Sequence, residues 1–336
     1  MQAKKHGYLV ISLDLELYWG MFDKVTLEEY GAHMLGERPA LPRMLEMFTT
    51  YGIHATWASV GMLMARNKHE LLTLLPPPHL RPLYEDQTVS AYTHIETGAI
   101  GNDEQSDPYH FGPSLIKLIL ATDHQEIGNH TFSHYYCIDG KINDTAIFAR
   151  DLEAHREIAR TYGINAESII FPRNQANAES LQTCLQYGIT SYRGNENHFL
   201  YRGREESKQS LFIRGLRLLD HYINISGHHT YSLGDRKENE PHNIPSSRFL
   251  RPWSKALRMF EWLRLHRIKK SMTHAAKHGE VFHLWWHPHN FGINQTENFK
   301  NLNEILTHYK KLNERYGMKS ASMQDITKIQ NRSLPH

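Results

Sequence analysis

The chain has 336 residues, 40% of them hydrophobic and 22% charged, which allows a buried core and excludes a disordered or fibrous chain. Its net charge of +2 is too mild to mark a nucleic-acid binder, and two cysteines, Cys137 and Cys184, are too few for a disulfide framework or a thiolate zinc site. The N-terminal apolar run is broken by Asp14 and Glu16, so it reads as neither a signal peptide nor a membrane span, and a soluble cytoplasmic protein is expected.

Tyr8 to Leu17 reads as a strand, with Ile11, Leu13, Leu15 and Leu17 on one face and Ser12, Asp14 and Glu16 on the other. Such a strand packs outward on helices and lines a site inward. A helix over Leu41–Tyr51 and a strand over Ile53–Val60 complete a βαβ unit, which implies parallel pairing. Residues 76–114 open on three prolines, show no clear period and read as an insertion. A helix over Leu115–Thr122 leads to a dense polar motif at 124–134. The pattern then predicts a helix over Asp144–Tyr162, a strand over Ser168–Phe171, a helix over Ala178–Tyr187 and a strand over Ile189–Tyr192. Residues 194–250 read as a second insertion with a strand around Tyr222–Ser226. A helix over Ser254–His278, a strand over Glu280–Trp286 and a helix over Asn298–Tyr316 follow, and 323–336 read as a frayed tail. The alternation of helix and strand runs from end to end, which indicates one domain over 1–336.

Four clusters could carry chemistry. Asp14 and Glu16, two apart on a strand, project to one side and could supply a metal ligand and a general base, or be two surface acids. His130 and His134, four apart, would share a face on one helical turn, a recurrent way to hold zinc, although a pair of hydrogen-bonded histidines reads the same. Arg173 in FPRNQ could bind an anion or orient a carboxylate. His287, at the end of a strand and before Pro288, suits a proton donor or acceptor at a barrel mouth, whereas His283 and His289 read as structural or as supports behind the site.

SLDLE (12–16), HATWASVG (54–61), EIGNHTFSH (126–134), FPRNQ (171–175) and HLWWHPHNFG (283–292) resemble the polysaccharide deacetylase, or NodB-homology, family, most of all its branch among bacterial surface-polysaccharide genes. The resemblance spans roughly residues 8 to 295. It implies an α/β fold, a distorted (β/α)7 barrel (TIM-like) with two inserted regions, and a divalent metal, usually zinc, held by two histidines and an acid. Carried over, Asp14 becomes the general base, Glu16, His130 and His134 the metal ligands, His287 the general acid, and Arg173 the residue orienting the base. The reaction implied is removal of an N-acetyl group from an amino sugar. The chain departs from the family pattern in Leu15 between the two acids, in Pro172 preceding Arg173, and in lacking an Asp-Trp element, roughly where Arg193 stands. Trp19, Arg193 and Trp286 are the candidates for contact with the sugar.

Two other readings stand beside this one. SKALRMFEWLRLHRIKK (254–270) is basic and amphipathic; it reads either as an outer barrel helix or as a surface meeting a membrane and a lipid-linked substrate, such as a formamido sugar awaiting deformylation. A barrel that binds sugar without catalysis is the alternative of a different class, and a nucleic-acid partner is not expected.

Overall fold

The computed structural model describes residues 6–139, 145–196, 198–201, 211–234 and 239–333. Asp144, the last three residues of the expected tail (334–336) and parts of the second insertion (197, 202–210 and 235–238) lie outside the described residues. One sheet contains β1 (Tyr8–Leu15), β2 (Ala55–Ser59), β3 (Gln125–Asn129), β4 (Ser168–Ile169), β5 (Ser191–Tyr192), β6 (His242–Asn243), β7 (Arg248–Phe249), β8 (Val281–Trp286) and β9 (Lys319–Ala321). Around it lie α1 (Leu27–Tyr51), α2 (Lys68–Leu74), α3 (Ala91–Glu96), α4 (Pro113–Leu120), α5 (Thr145–Arg160), α6 (Ala178–Gln186), α7 (Leu211–Asp220), α8 (Glu261–His278), α9 (Gln295–Tyr316) and α10 (Met323–Ser333).

The strands run in the order β6-β5-β4-β3-β2-β1-β8-β7, each ladder parallel, with β9 also pairing to β1. The sheet curls into a half-barrel with helices outside it, the distorted (β/α)7 form expected. Parallel strands bring their C-terminal ends to one face.

The alternation of β1 decides what lies where. Leu9, Ile11, Leu13 and Leu15 enter the main apolar cluster with Phe48 of α1 and with Leu302 and Ile305 of α9. Val10 joins a second cluster with Val281, Met323 and Ile326, while Ser12 and then Asp14 succeed it along the same face. The interior is therefore apolar at its base and polar at its mouth.

Three expectations need correction. The segment expected to fray forms β9's successor α10, because Met323 and Ile326 are wholly buried in the apolar base of the barrel and the Met323 amide donates to Thr56 Oγ1 at 2.9 Å. Helix α1 begins at Leu27 rather than Leu41, since Thr26 and Glu29 form a capping box that starts it upstream of Pro39 and Pro42. No strand forms over 222–226; that segment turns, with the Ile225 and Ser226 amides donating to Asp220, and the strands of this region are β6 and β7.

A candidate metal centre at the barrel mouth

Strand β1 stops at Leu15, and the chain turns sharply through Leu17 at φ 47° into a short 3₁₀ turn over Leu17–Gly20. The turn folds Glu16 back over Gly20, where any Cβ would collide with the Glu16 carboxyl. Only glycine leaves that space. Asp14 and Glu16, both nearly inaccessible to solvent, thus reach the same cleft by different routes.

His130 and His134 follow β3, on a loop and not on a helical turn as their spacing suggested. Two residues in the left-handed region, Thr131 at φ 63° and His134 at φ 55°, bring the rings together, with centroids 5.2 Å apart. Local bonds hold this backbone. Asn129 Oδ1 accepts from the Thr131 amide at 2.6 Å and Thr131 Oγ1 accepts from the Tyr135 amide at 2.7 Å. From α5, the buried Asp151 carboxylate accepts from the Phe132 amide at 2.9 Å, the Ser133 amide at 3.1 Å and Ser133 Oγ at 2.9 Å.

The ring orientations suit metal ligation. Nδ1 of His130 donates to the Ile170 carbonyl at 2.8 Å, which leaves the Nε2 lone pair facing Glu16 Oε2 at 3.5 Å. Nε2 of His134 lies 3.1 Å from the same oxygen, while its Nδ1 is 3.1 Å from the Tyr136 hydroxyl. One ligand atom from each of Glu16, His130 and His134 falls within 4.8 Å of the others. Two imidazole nitrogens and a carboxylate form a donor set suited to zinc with a position left open. Burial would raise the Glu16 carboxyl, yet His287, His130 and His134 outweigh it and hold the group well below its ordinary range, so it is ionised and able to ligate.

Asp14 is gripped by Arg193, whose two terminal nitrogens donate to Oδ1 and Oδ2 at 2.7 Å each. The guanidinium is itself fixed: it donates to Ser12 Oγ at 3.0 Å and to Asn174 Oδ1 at 2.9 Å, and lies 4.1 Å above the Trp285 ring. Arg173 does not orient Asp14. It donates to Asp139 at 2.9 Å and Asp23 at 2.6 Å and stacks 3.9 Å from the Tyr136 ring. A left-handed turn at Arg173 and Asn174 (φ 55° and 51°) puts the arginine on the rim and the asparagine against Arg193. FPRNQ thus meets the Asp14 pair through Asn174.

His287, after β8, places Nε2 3.5 Å from Glu16 Oε1 and 3.8 Å from Asp14 Oδ2, with about a quarter of its side chain open to solvent. His283 lies behind the Arg193–Asp14 pair, 2.8 Å from the Ser12 Oγ that also meets Arg193, and burial with the Arg193 charge pushes it down to about 3. Trp19 and Trp286 do not face the cleft. Both are fully buried, Trp19 donating to the His110 carbonyl at 2.7 Å and Trp286 stacked on Phe291 at 5.8 Å on the outer side of β8. The β8 alternation puts Trp285 inward instead, beside His287 at 5.7 Å. Sequence reasoning passed over Asn174, Asp151 and Glu37, a carboxyl of α1 wholly buried with neither oxygen hydrogen-bonded.

A polysaccharide deacetylase family model matches residues 21–192, half of the chain. That span includes His130 and His134; Asp14, Glu16, Arg193 and His287 lie outside it and are brought to it by the fold. No curated protein matches. Among solved structures, a Mycobacterium smegmatis protein classed as a polysaccharide deacetylase aligns with a TM-score of 0.59 at 11% identity over 99% of this chain and 93% of its own. PuuE allantoinase aligns at 0.56, 11% identity, 99% and 93%. A Pseudomonas aeruginosa PAO1 protein classed as a polysaccharide deacetylase aligns at 0.55, 13% identity, 98% and 92%. At these identities the likeness is one of fold.

Proposed function

The chain belongs to the polysaccharide deacetylase family of carbohydrate deacetylases, and from that premise we propose a metal-dependent hydrolase that removes the N-acetyl group of an amino sugar in a surface polysaccharide or its precursor. The observation carrying the reading is the convergence of Glu16, His130 and His134 beside an Asp14 locked by Arg193 and an accessible His287. A divalent ion on those three side chains, zinc by the nature of the donors, would polarise the acetamide carbonyl and activate a water. Asp14, an acceptor whose lone pairs are aimed by Arg193, takes the proton from the attacking water. His287 hands a proton to the amine as the C–N bond breaks, and acetate and the free amino sugar leave. The Ile170 carbonyl keeps His130 in the tautomer that leaves the Nε2 lone pair toward Glu16, and the Tyr136 hydroxyl, when it accepts from Nδ1, does the same for His134.

A lipid-linked formamido sugar is the second substrate class. It is favoured by the basic and apolar surface that begins α8, where Trp262 is 65% exposed.

The test is metal content and acyl release on purified protein, parent against His130→Ala and His134→Ala. One tightly held divalent ion, lost in both folded variants together with acetate release from N-acetylated sugars, supports the reading. Formate without acetate moves it to the second class. A parent that binds no divalent ion sinks the mechanism.

A further inference from the structure

Beyond the reaction, the face formed by the end of α7 with the turn after it (to 226) and by the 3₁₀ turn Lys255–Phe260 leading into α8 stands out. Its large apolar side chains are turned to solvent: Leu219 (50% exposed), Ile223 (57%), Ile225 (48%), Met259 (73%), Phe260 (51%) and Trp262 (65%). The two segments are one surface, since the Tyr222 and Phe260 rings meet at 6.4 Å. Contiguous apolar exposure of this kind marks a contact surface rather than scattered solvent-exposed residues. The same helix is ordinary further along, where Leu265, Ile268 and Met272 are buried in the core.

The charge around the patch is net positive: Glu297 and Glu304 of α9 share a groove with Arg258 and Trp262, but Glu304 is paired with Lys269 at 3.0 Å and Lys300 stands beside them. Residues 251–270 carry seven lysines and arginines against a single acid, Glu261, while the whole chain has a net charge of only +2. Glu261 is already paired with Arg264. The one acid of the other segment, Asp220, is buried and shared by Arg248 at 2.8 Å and Arg267 at 2.9 Å. Lys255 and Arg258, exposed beside Met259, tip the local balance to positive against Glu297. A second copy of the chain would bring the same positive charge against it. An anionic lipid surface supplies the opposite charge and a place for the tryptophan, phenylalanine and aliphatic side chains at the headgroup boundary.

The position of the patch matters too. In a parallel β/α fold the strands run to the mouth and each following helix starts there. The first turn of α8 follows β7, whose Phe249 ring lies 6.1 Å from that of His287. We infer that this face docks the protein peripherally on an anionic phospholipid bilayer, with the barrel mouth turned to the lipid surface. Among the described residues no helix is long and apolar enough to cross a membrane. The inference deepens the lipid-linked reading of the substrate, yet it is tested without turnover, so either can fail alone.

The experiment is co-sedimentation of the full chain with phosphatidylcholine vesicles, with and without phosphatidylglycerol, at low and high salt. The expected result is retention on the anionic vesicles, weakened by salt. Met259→Asp with Trp262→Asp, and separately Lys255→Glu with Arg258→Glu, should each weaken it by about tenfold or more. Both variants replace exposed side chains that make none of the contacts of the metal centre or of the Asp14 pair; circular dichroism and hydrolysis of a soluble substrate check that they are folded. A parent not retained on anionic vesicles, or variants retained like the parent, overturns the proposal. So does a parent dimer in solution that Trp262→Asp dissociates, which would give the face to a second copy.

Discussion

Arg193 and Asp14 form a bidentate pair with both contacts at 2.7 Å, sealed from solvent and roofed on one side by Trp285. A planar fork is matched to a carboxylate in a way that an ammonium is not. Arg193→Lys keeps the charge and loses the alignment. The expected outcome is a fall in kcat of about 10²-fold with KM and bound metal little changed, the signature of a general base out of line. Loss of metal in this variant would assign Arg193 to the ligand shell instead.

The contrasting prediction concerns Arg173. Its partners include Asp23, Asp139 and the Tyr136 ring, and through Tyr136, whose hydroxyl lies against His134, it stands behind a metal ligand. Arg173→Gln should cost less kcat than Arg193→Gln and should act mainly through metal affinity, in the range of about 10-fold to 100-fold expected for groups behind a ligand. Metal titration of both variants side by side checks this. Equal losses of kcat at saturating metal would return Arg173 to the role that the sequence suggested.

This pair shows what was legible in the sequence. The alternation of β1 placed Ser12 and Asp14 on the inner face and the leucines outside, and that held because a strand has a fixed period of two, whereas Glu16, past the strand's end, reaches the same cleft by the turn at Leu17. The same rule, applied to β8, would have chosen Trp285 over Trp286, since His283 and Trp285 share a side. His130 and His134 were rightly paired for a reason that does not apply, as left-handed turns and Asp151, not a helix, bring them together. Which arginine reaches Asp14 was not readable, because it depends on β4 and β5 lying side by side and on a turn that points Asn174 inward. Glu37 was missed with the first half of α1: the helix was expected only from Leu41, so the buried face that Glu37 shares with Met34, Ala40 and Leu41 was not read, and its burial follows from α1 packing against the turn after β8, where Gly36 and Gly292 leave no room for a side chain.

Asp151 supplies the third prediction. Its carboxylate receives two backbone amides and a hydroxyl from the loop carrying both histidines, and burial raises it to about 6 despite those bonds. Asp151→Ala would strand buried donors, each unmade bond costing about 1–3 kcal/mol. A drop in Tm and weaker metal binding should appear together. Asp151→Asn, which keeps one acceptor oxygen, should recover part of both. Unchanged metal affinity in the alanine variant would show that the left-handed turns hold the loop without help from α5.

Glu37 gives a pH dependence with a definite sign. Burial, and after it the Glu16 carboxylate, push its carboxyl from 4.5 up to about 8, against the weaker pull of Arg38. Between those two values the folded chain keeps a proton that the unfolded chain has released, so stability declines as pH rises from about 4.5 to about 8 and levels off beyond it. Glu37→Gln stays neutral throughout and should flatten that part of the curve. The measurement is Tm against pH for parent and variant, both stripped of metal so that ligand protonation enters the two curves alike. The variant should gain on the parent steadily from pH 5 to pH 8. A difference that stays constant over that range would mean that Glu37 holds one charge state throughout, and that its carboxyl is compensated by a neighbour.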